Sequence, residues 1–149
     1  MSLATLLTDQ QQRLDALITL LSSEQNLLTQ GDIDGDALTK VALEKQTLLT
    51  ELERIESVRR NVQQRLGYAD GAKGAREAAA NAGCQTAWDS LLEKSERASR
   101  MNELTGQMLS VRMKHNQAML DYIRQIAKKT LYKPDGRNSA QPGRINASA

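Results

Sequence analysis

EQNLLTQGDIDGDALTKVALEKQTLLTEL, residues Glu24–Leu52, reads as the tip of a long helical hairpin. Upstream of it, Leu3, Leu7, Leu14, Leu17, Leu21 and Leu28 fall on one seam, with Gln10 and Glu24 in its two gaps. Downstream, Leu38, Val41, Leu48, Leu52, Ile55, Val62 and Leu66 repeat the alternating three–four spacing, interrupted by Lys45 and Arg59. A seam this long has to be buried against other helices, so each segment makes sense only within a bundle. Gly31 suits a helix C-cap, and Asp34 or Asp32 an N-cap for the helix that follows. The break spans about five residues, short enough to make the two helices antiparallel. A narrow hairpin of this kind offers surface to a partner, not a pocket to a substrate.

Working outward, the pattern predicts a first helix over 3–30 and a second over 34–66, each about 40–50 Å long at roughly 1.5 Å per residue. Gly67 stops the second. The segment GYADGAKGAREAAANAGCQ, residues 67–85, is rich in Gly and Ala and carries little apolar load. It reads as a loose connection with room for a short helix over Ala72–Asn81, long enough to bring the chain back along the hairpin. A third long helix is expected over 86–129, with Thr86 as its N-cap, carrying Leu91, Leu92, Ala98, Met101, Leu104, Met108, Leu109, Val111, Met119, Leu120, Ile123 and Ile126. Pro134 blocks helix soon after Lys129. The tail KPDGRNSAQPGRINASA has almost nothing to bury, so disorder is expected there. The fold class is therefore all-α: an elongated antiparallel bundle of three long helices over 1–129, then a flexible tail over 130–149.

Composition agrees with helices packed side by side. Among 149 residues Phe is absent, and Trp88, Tyr68, Tyr122 and Tyr132 are the only aromatics; a globule built around a ligand cavity uses more aromatic mass. No stretch approaches the roughly 18 uncharged apolar residues of a membrane span. The N-terminus MSLATLLTDQQQ lacks the basic and apolar regions of a signal peptide. A lone Cys84 excludes an intramolecular disulfide and fits a reducing cytoplasm. The net charge of +2 is uneven: residues 1–57 hold 10 acidic and 4 basic side chains, residues 58–149 hold 8 and 16. The plain reading is that antiparallel helices of opposite charge neutralise each other. The sharper reading is a basic distal half that meets an acidic partner or nucleic acid.

Each chemical constellation has a simpler structural explanation. In a calcium loop starting at Asp32, positions six and twelve call for Gly and Glu, but Ala37 and Leu43 stand there. Helix capping accounts for Asp32, Asp34 and Asp36 better. His115, the only histidine, has no second ligand and no triad, and reads as a solvated helix residue. Cys84, with Trp88 one turn on, reads as a half-buried structural thiol. Phosphate loops, HExxH and GxSxG are all absent, so no enzyme, cofactor or metal is expected. Basic residues are scattered without aromatic interleaving, which argues against nucleic acid. Four of the five methionines, Met101, Met108, Met113 and Met119, lie on the third long helix. They read equally as core filler and as an adaptable partner surface. Tyr132 lies beyond the last helical turn, beside Leu131, either as a staple on the bundle or as a docking peg.

These residues resemble the FlgN-type flagellar export chaperones. The matching pieces are EQNLLTQGDIDGDALTKVALEKQTLLTELERIESVRR, WDSLLEKSERASRMNELTGQMLSVRMKHNQAML and TLYKPDGR, in the family's order. Trp88, the helix around Asn102 and the Leu-Tyr-x-x-Asp-Gly tail together carry the resemblance. One departure is Lys133-Pro134, where the family has a smaller pair, and it stiffens the tail. The resemblance implies a cytoplasmic chaperone that holds hook-associated junction proteins unassembled. It would deliver them to the export gate and export ATPase complex of flagellar type III secretion. It implies substrate binding by the region Leu104–Ile126, with Leu104, Met108, Val111, Met119 and Ile123 as contacts. Leu131, Tyr132, Asp135 and Gly136 would dock on the gate. The competing class is a non-secretory helical tether acting by coiled-coil self-association, and the seams leave oligomeric state open between the two.

Overall fold

The computed structural model describes residues 2–131, with side chains through Lys128. Among the described residues the chain is all-α, with four helices and no strand: α1 (Leu3–Leu28), α2 (Gly35–Arg65), α3 (Ala72–Asn81) and α4 (Gln85–Leu131). The chain divides into two compact units, Met1–Thr105 and Gly106–Ala149. No described helix is long and apolar enough to cross a membrane.

In the first unit α1 is the helix with the most covered seam. Ser2 caps it, its Oγ accepting from the Thr5 amide at 3.2 Å. All six expected leucines are buried, and Leu6 joins them. The gap residues Gln10 and Glu24 are buried too, and each has a partner. Glu24 Oε1 accepts from Lys45 Nζ at 2.9 Å, and Gln10 Nε2 donates to Glu56 Oε1 at 3.1 Å. Arg13 meets Glu51 at 2.8 Å. Rising numbers on α1 thus meet falling numbers on α2, which makes the pair antiparallel.

Along α4 the numbers rise together with those of α1. Gln11 Nε2 donates to the Ala87 carbonyl at 3.0 Å, and Lys94 pairs with Asp15 at 2.9 Å. Gln25 Nε2 donates to the Met101 carbonyl at 3.2 Å. Residues 85–105 therefore run parallel to α1, as the crossing back through 66–84 requires. Lys94–Asp15 joins the basic half to the acidic half, but between parallel helices, and Lys45–Glu24 pairs opposite charges within the acidic half.

Three local expectations need correction, and one choice between two residues is decided. Gly31 is not the cap of α1, and no positive φ is found there. Thr29 ends the helix instead, its amide reaching the Gln25 and Asn26 carbonyls at 3.1 and 3.2 Å, while its Oγ1 donates to Asn26 at 2.8 Å. Of the two candidate aspartates Asp34 caps α2, accepting from the Ala37 amide at 3.0 Å. The α2 seam is only half-buried at Leu38, Val41, Leu48, Leu52 and Val62, and only Ile55 is fully covered. Leu66 is 58% exposed, because it caps α2 and Gly67, at φ 87°, turns the chain away at once. Finally, α4 begins at Gln85, with the Trp88 amide bonding the Cys84 carbonyl at 2.9 Å, so Thr86 lies inside the first turn.

The connection is firmer than its composition predicts. Helix α3 occupies the expected span, but Ala75, Ala78 and Ala79 are buried in the core with Leu3, Leu7, Cys84 and Trp88. Small side chains substitute for apolar mass by letting backbones approach. At Gly74 an added Cβ would fall 1.7 Å from the Ala69 carbonyl oxygen, so no other residue fits without a shift. Cys84 is correspondingly buried, not half-buried.

Candidate functional site

The candidate binding residues lie on α4. Leu104 falls in the first unit and is exposed. In the second unit the spacing Met108, Val111, His115, Met119, Tyr122 and Ile126 keeps successive side chains one turn apart on a single face, with Ile123 beside it. Val111 is 65% and Tyr122 62% exposed; Met119, Ile123 and Ile126 are exposed as well, and Met108 is half-buried. Polar groups elsewhere on this helix bond within it. Gln117 Nε2 donates to Asp121 Oδ1 at 3.1 Å, and Arg124 pairs with Asp121 at 3.7 Å.

Tyr122, Ile126 and His115 complete the stripe and were not among the expected contacts. Their three–four spacing from Val111 and Met119 was the signal. His115 reads as a solvated residue from its neighbours Lys114 and Asn116, yet it is the polar member of an apolar face. It is exposed there. Leu131 is the last residue of α4. Tyr132, Asp135 and Gly136, with the expected tail, lie outside the described residues.

The first unit holds a different concentration of chemistry. Arg59 is buried and engaged on every side. Its Nε and Nη2 donate to the two Glu56 carboxylate oxygens at 2.5 and 3.0 Å, and Nη1 donates to Gln63 Oε1 at 2.8 Å. Its guanidinium carbon sits 4.9 Å from the centre of the Trp88 ring, a cation–π contact. Gln63 Nε2 in turn donates to the carbonyls of Ala69 and Gly71 at 2.5 and 3.3 Å, fixing the turn before α3. Burial alone would raise the Glu56 carboxyl. The Arg59 hydrogen bond and charge, the Gln10 amide and the Arg60 charge outweigh burial and hold Glu56 below its ordinary value. This network is bonded inward and joins α1, α2, the turn and α4; it positions elements and offers no reacting group. Among the described residues no cluster of three or more His, Cys, Asp or Glu is placed to hold a metal.

Comparison with known proteins follows the same line. The model of the family described as FlgN protein matches residues 1–140. The flagella synthesis protein FlgN of Salmonella typhimurium is 29% identical over 126 residues, 85% of this chain and 82% of that protein. Its namesake in Escherichia coli is 26% identical over 92% of this chain and 90% of that protein. The namesake in Proteus mirabilis is 25% identical over 84% and 82%. No solved structure matches the chain significantly. A match over nearly the whole length, on a helical chain with an unpartnered apolar face, places this protein in the FlgN family.

Proposed function

We propose that this protein is a cytoplasmic chaperone of flagellar type III export. In this reading it binds hook-associated junction proteins, prevents their premature assembly and delivers them to the export gate and export ATPase complex. The observation that carries the reading is the exposed stripe Met108–Ile126 on a chain of the FlgN family. The activity proposed is binding, with no cofactor, metal or catalysis, and its scaffold is the first unit, where α2 runs antiparallel to α1 and residues 85–105 of α4 run parallel to α1.

Capture follows from the stripe's physics. A junction subunit that has not assembled presents an amphipathic terminal helix whose apolar side has no partner. Laying that side on Met108, Val111, Met119, Tyr122 and Ile123 removes both faces from water. About 600–800 Å² per partner suffices for a specific, reversible complex. Methionine suits a surface that accepts more than one sequence, because its unbranched chain repacks easily. Release and docking are assigned to the end of α4 and the chain beyond it, with Leu131, Tyr132, Asp135 and Gly136 as the gate-binding motif.

Size-exclusion chromatography with light scattering tests the reading, using the full chain mixed with C-terminal segments of the junction proteins. A stoichiometric heterocomplex lost in Val111→Asp supports it. Self-assembly without any heterocomplex would replace it with a coiled-coil tether. For the tail, Tyr132→Ala should spare the complex and lower secretion of junction proteins; unchanged secretion removes the gate role.

A further inference from the structure

The exposed stripe on α4 is apolar except at its centre. His115 lies one turn after Val111 and one turn before Met119, on the same face. All three side chains are exposed. Charge along this stretch is nearly of one sign. Between 106 and 128 stand Arg112, Lys114, Arg124 and Lys128 against a single carboxylate, Asp121. Asp121 is already engaged, by the Gln117 amide at 3.1 Å and by Arg124 at 3.7 Å. Lys114 and Lys128 are exposed and have no ion-pair partner among the described residues. At about 100° per residue both fall on one edge of the stripe, the edge beside Val111 and Tyr122, about 21 Å apart. An occupant of this face therefore meets a polar group in the middle and positive charge along one side. A purely apolar surface laid over His115 would strip the imidazole of water and give it nothing to bond, which weakens binding.

We propose that this face selects an acidic amphipathic helix, with one Asp or Glu in the middle of its apolar side and further carboxylates along the edge that meets Lys114 and Lys128. The inference rests on the chaperone reading and names the chemistry of the client segment that the stripe captures. A carboxylate opposite His115 accepts from an imidazole N–H, and the lysines nearby favour an anion there over a neutral amide. The two positions do different things. Rim lysines speed the encounter with an acidic helix and turn basic helices away, adding little affinity of their own. The central pair loses water on capture, so it carries the discrimination: a helix with leucine at that point leaves His115 unpaired. The same histidine argues against an anionic bilayer as the occupant. Lipid phosphates would satisfy the lysines, but acyl chains offer the imidazole no acceptor.

The probes are three synthetic leucine-faced helices of about 18 residues, long enough to follow the stripe, titrated into the full chain by fluorescence anisotropy. The first has glutamate at the centre of the leucine face and along one edge. The second replaces the central glutamate with leucine, and the third replaces the edge glutamates with lysine. The first is expected to bind roughly tenfold tighter than either of the others. His115→Leu, at an exposed position, should reverse the order of the first two, which a merely structural histidine would not do. Val111→Asp should abolish binding of all three. Equal affinity for the first two helices overturns the proposal, as does a preference for the lysine edge. Binding to phosphatidylglycerol vesicles without a peptide response also overturns it, and assigns the face to a bilayer. A junction-protein complex formed by a chain indifferent to the three helices would overturn this inference and leave the chaperone reading standing. Selection of the acidic helix without any junction-protein complex would keep the acidic-helix surface and overturn the chaperone reading instead.

Discussion

Helix α1 and the second-unit part of α4 are written in nearly the same pattern and meet opposite fates. Both place aliphatic residues three and four apart, and both interrupt them with a polar residue, Gln10 and Glu24 in one, His115 in the other. On α1 every leucine of the seam is covered and both polar residues are bonded across to α2. On α4 beyond Gly106 the same spacing faces solvent. Periodicity therefore states that a face wants cover, and it does not state where the cover comes from. In one case the chain supplies it; in the other the described residues leave the face exposed, and the proposed client would cover it.

The largest effect expected from that contrast is in stability. Leu21→Ala, at a fully buried site, should cost about 2–5 kcal/mol in urea unfolding. Met119→Ala should stay within about 0.5 kcal/mol. Comparable losses at the two positions would erase the contrast and show the stripe to be core.

Next comes Gly74→Ala, which drives a methyl group into the Ala69 carbonyl and should cost about 1–3 kcal/mol, read as a lower melting temperature. A neutral result would mean that α3 only rests on the first unit. Val111→Asp sharpens the comparison from the other side: helicity by circular dichroism stays unchanged while client capture is lost. A drop in helicity instead would assign Val111 to packing.

The smallest effect concerns acid. Because Glu56 is held below the ordinary glutamate range when folded, its contribution is complete above that range. It is lost as pH falls through the lowered value. In Glu56→Gln that part of the acid-induced fall in stability should flatten. An unchanged pH profile would show that the Arg59 network contributes nothing specific there.

The leucines of α1, the antiparallel hairpin and the span of α3 were legible because each follows from local spacing or a short break. The polar gaps carried more information than their types suggest. Gln10 and Glu24 lie two heptads apart, as do Lys45 and Arg59, so an antiparallel register brings Glu24 to Lys45 and Gln10 to the Glu56–Arg59 pair. That register was available in the sequence. The burial of Ala75, Ala78 and Ala79 was not, since alanine is equally at home in a loose connection. Only the approach of Gly74 to Ala69 distinguishes the two. The half-covered seam of α2 was equally out of reach, because a cleft between three helices is no property of any one of them.

By itself the sequence determined that the chain is helical, that its first two helices fold back on each other, and which side of each helix is apolar. Those properties come from spacing along one chain, and neighbours in sequence are enough to set them. Tertiary structure alone decided which apolar faces are covered. It also left Gln10 Oε1 and Trp88 Nε1 buried without partners among the described residues and turned small alanines into core. Burial depends on the distance between segments far apart in sequence, and no local pattern encodes that distance.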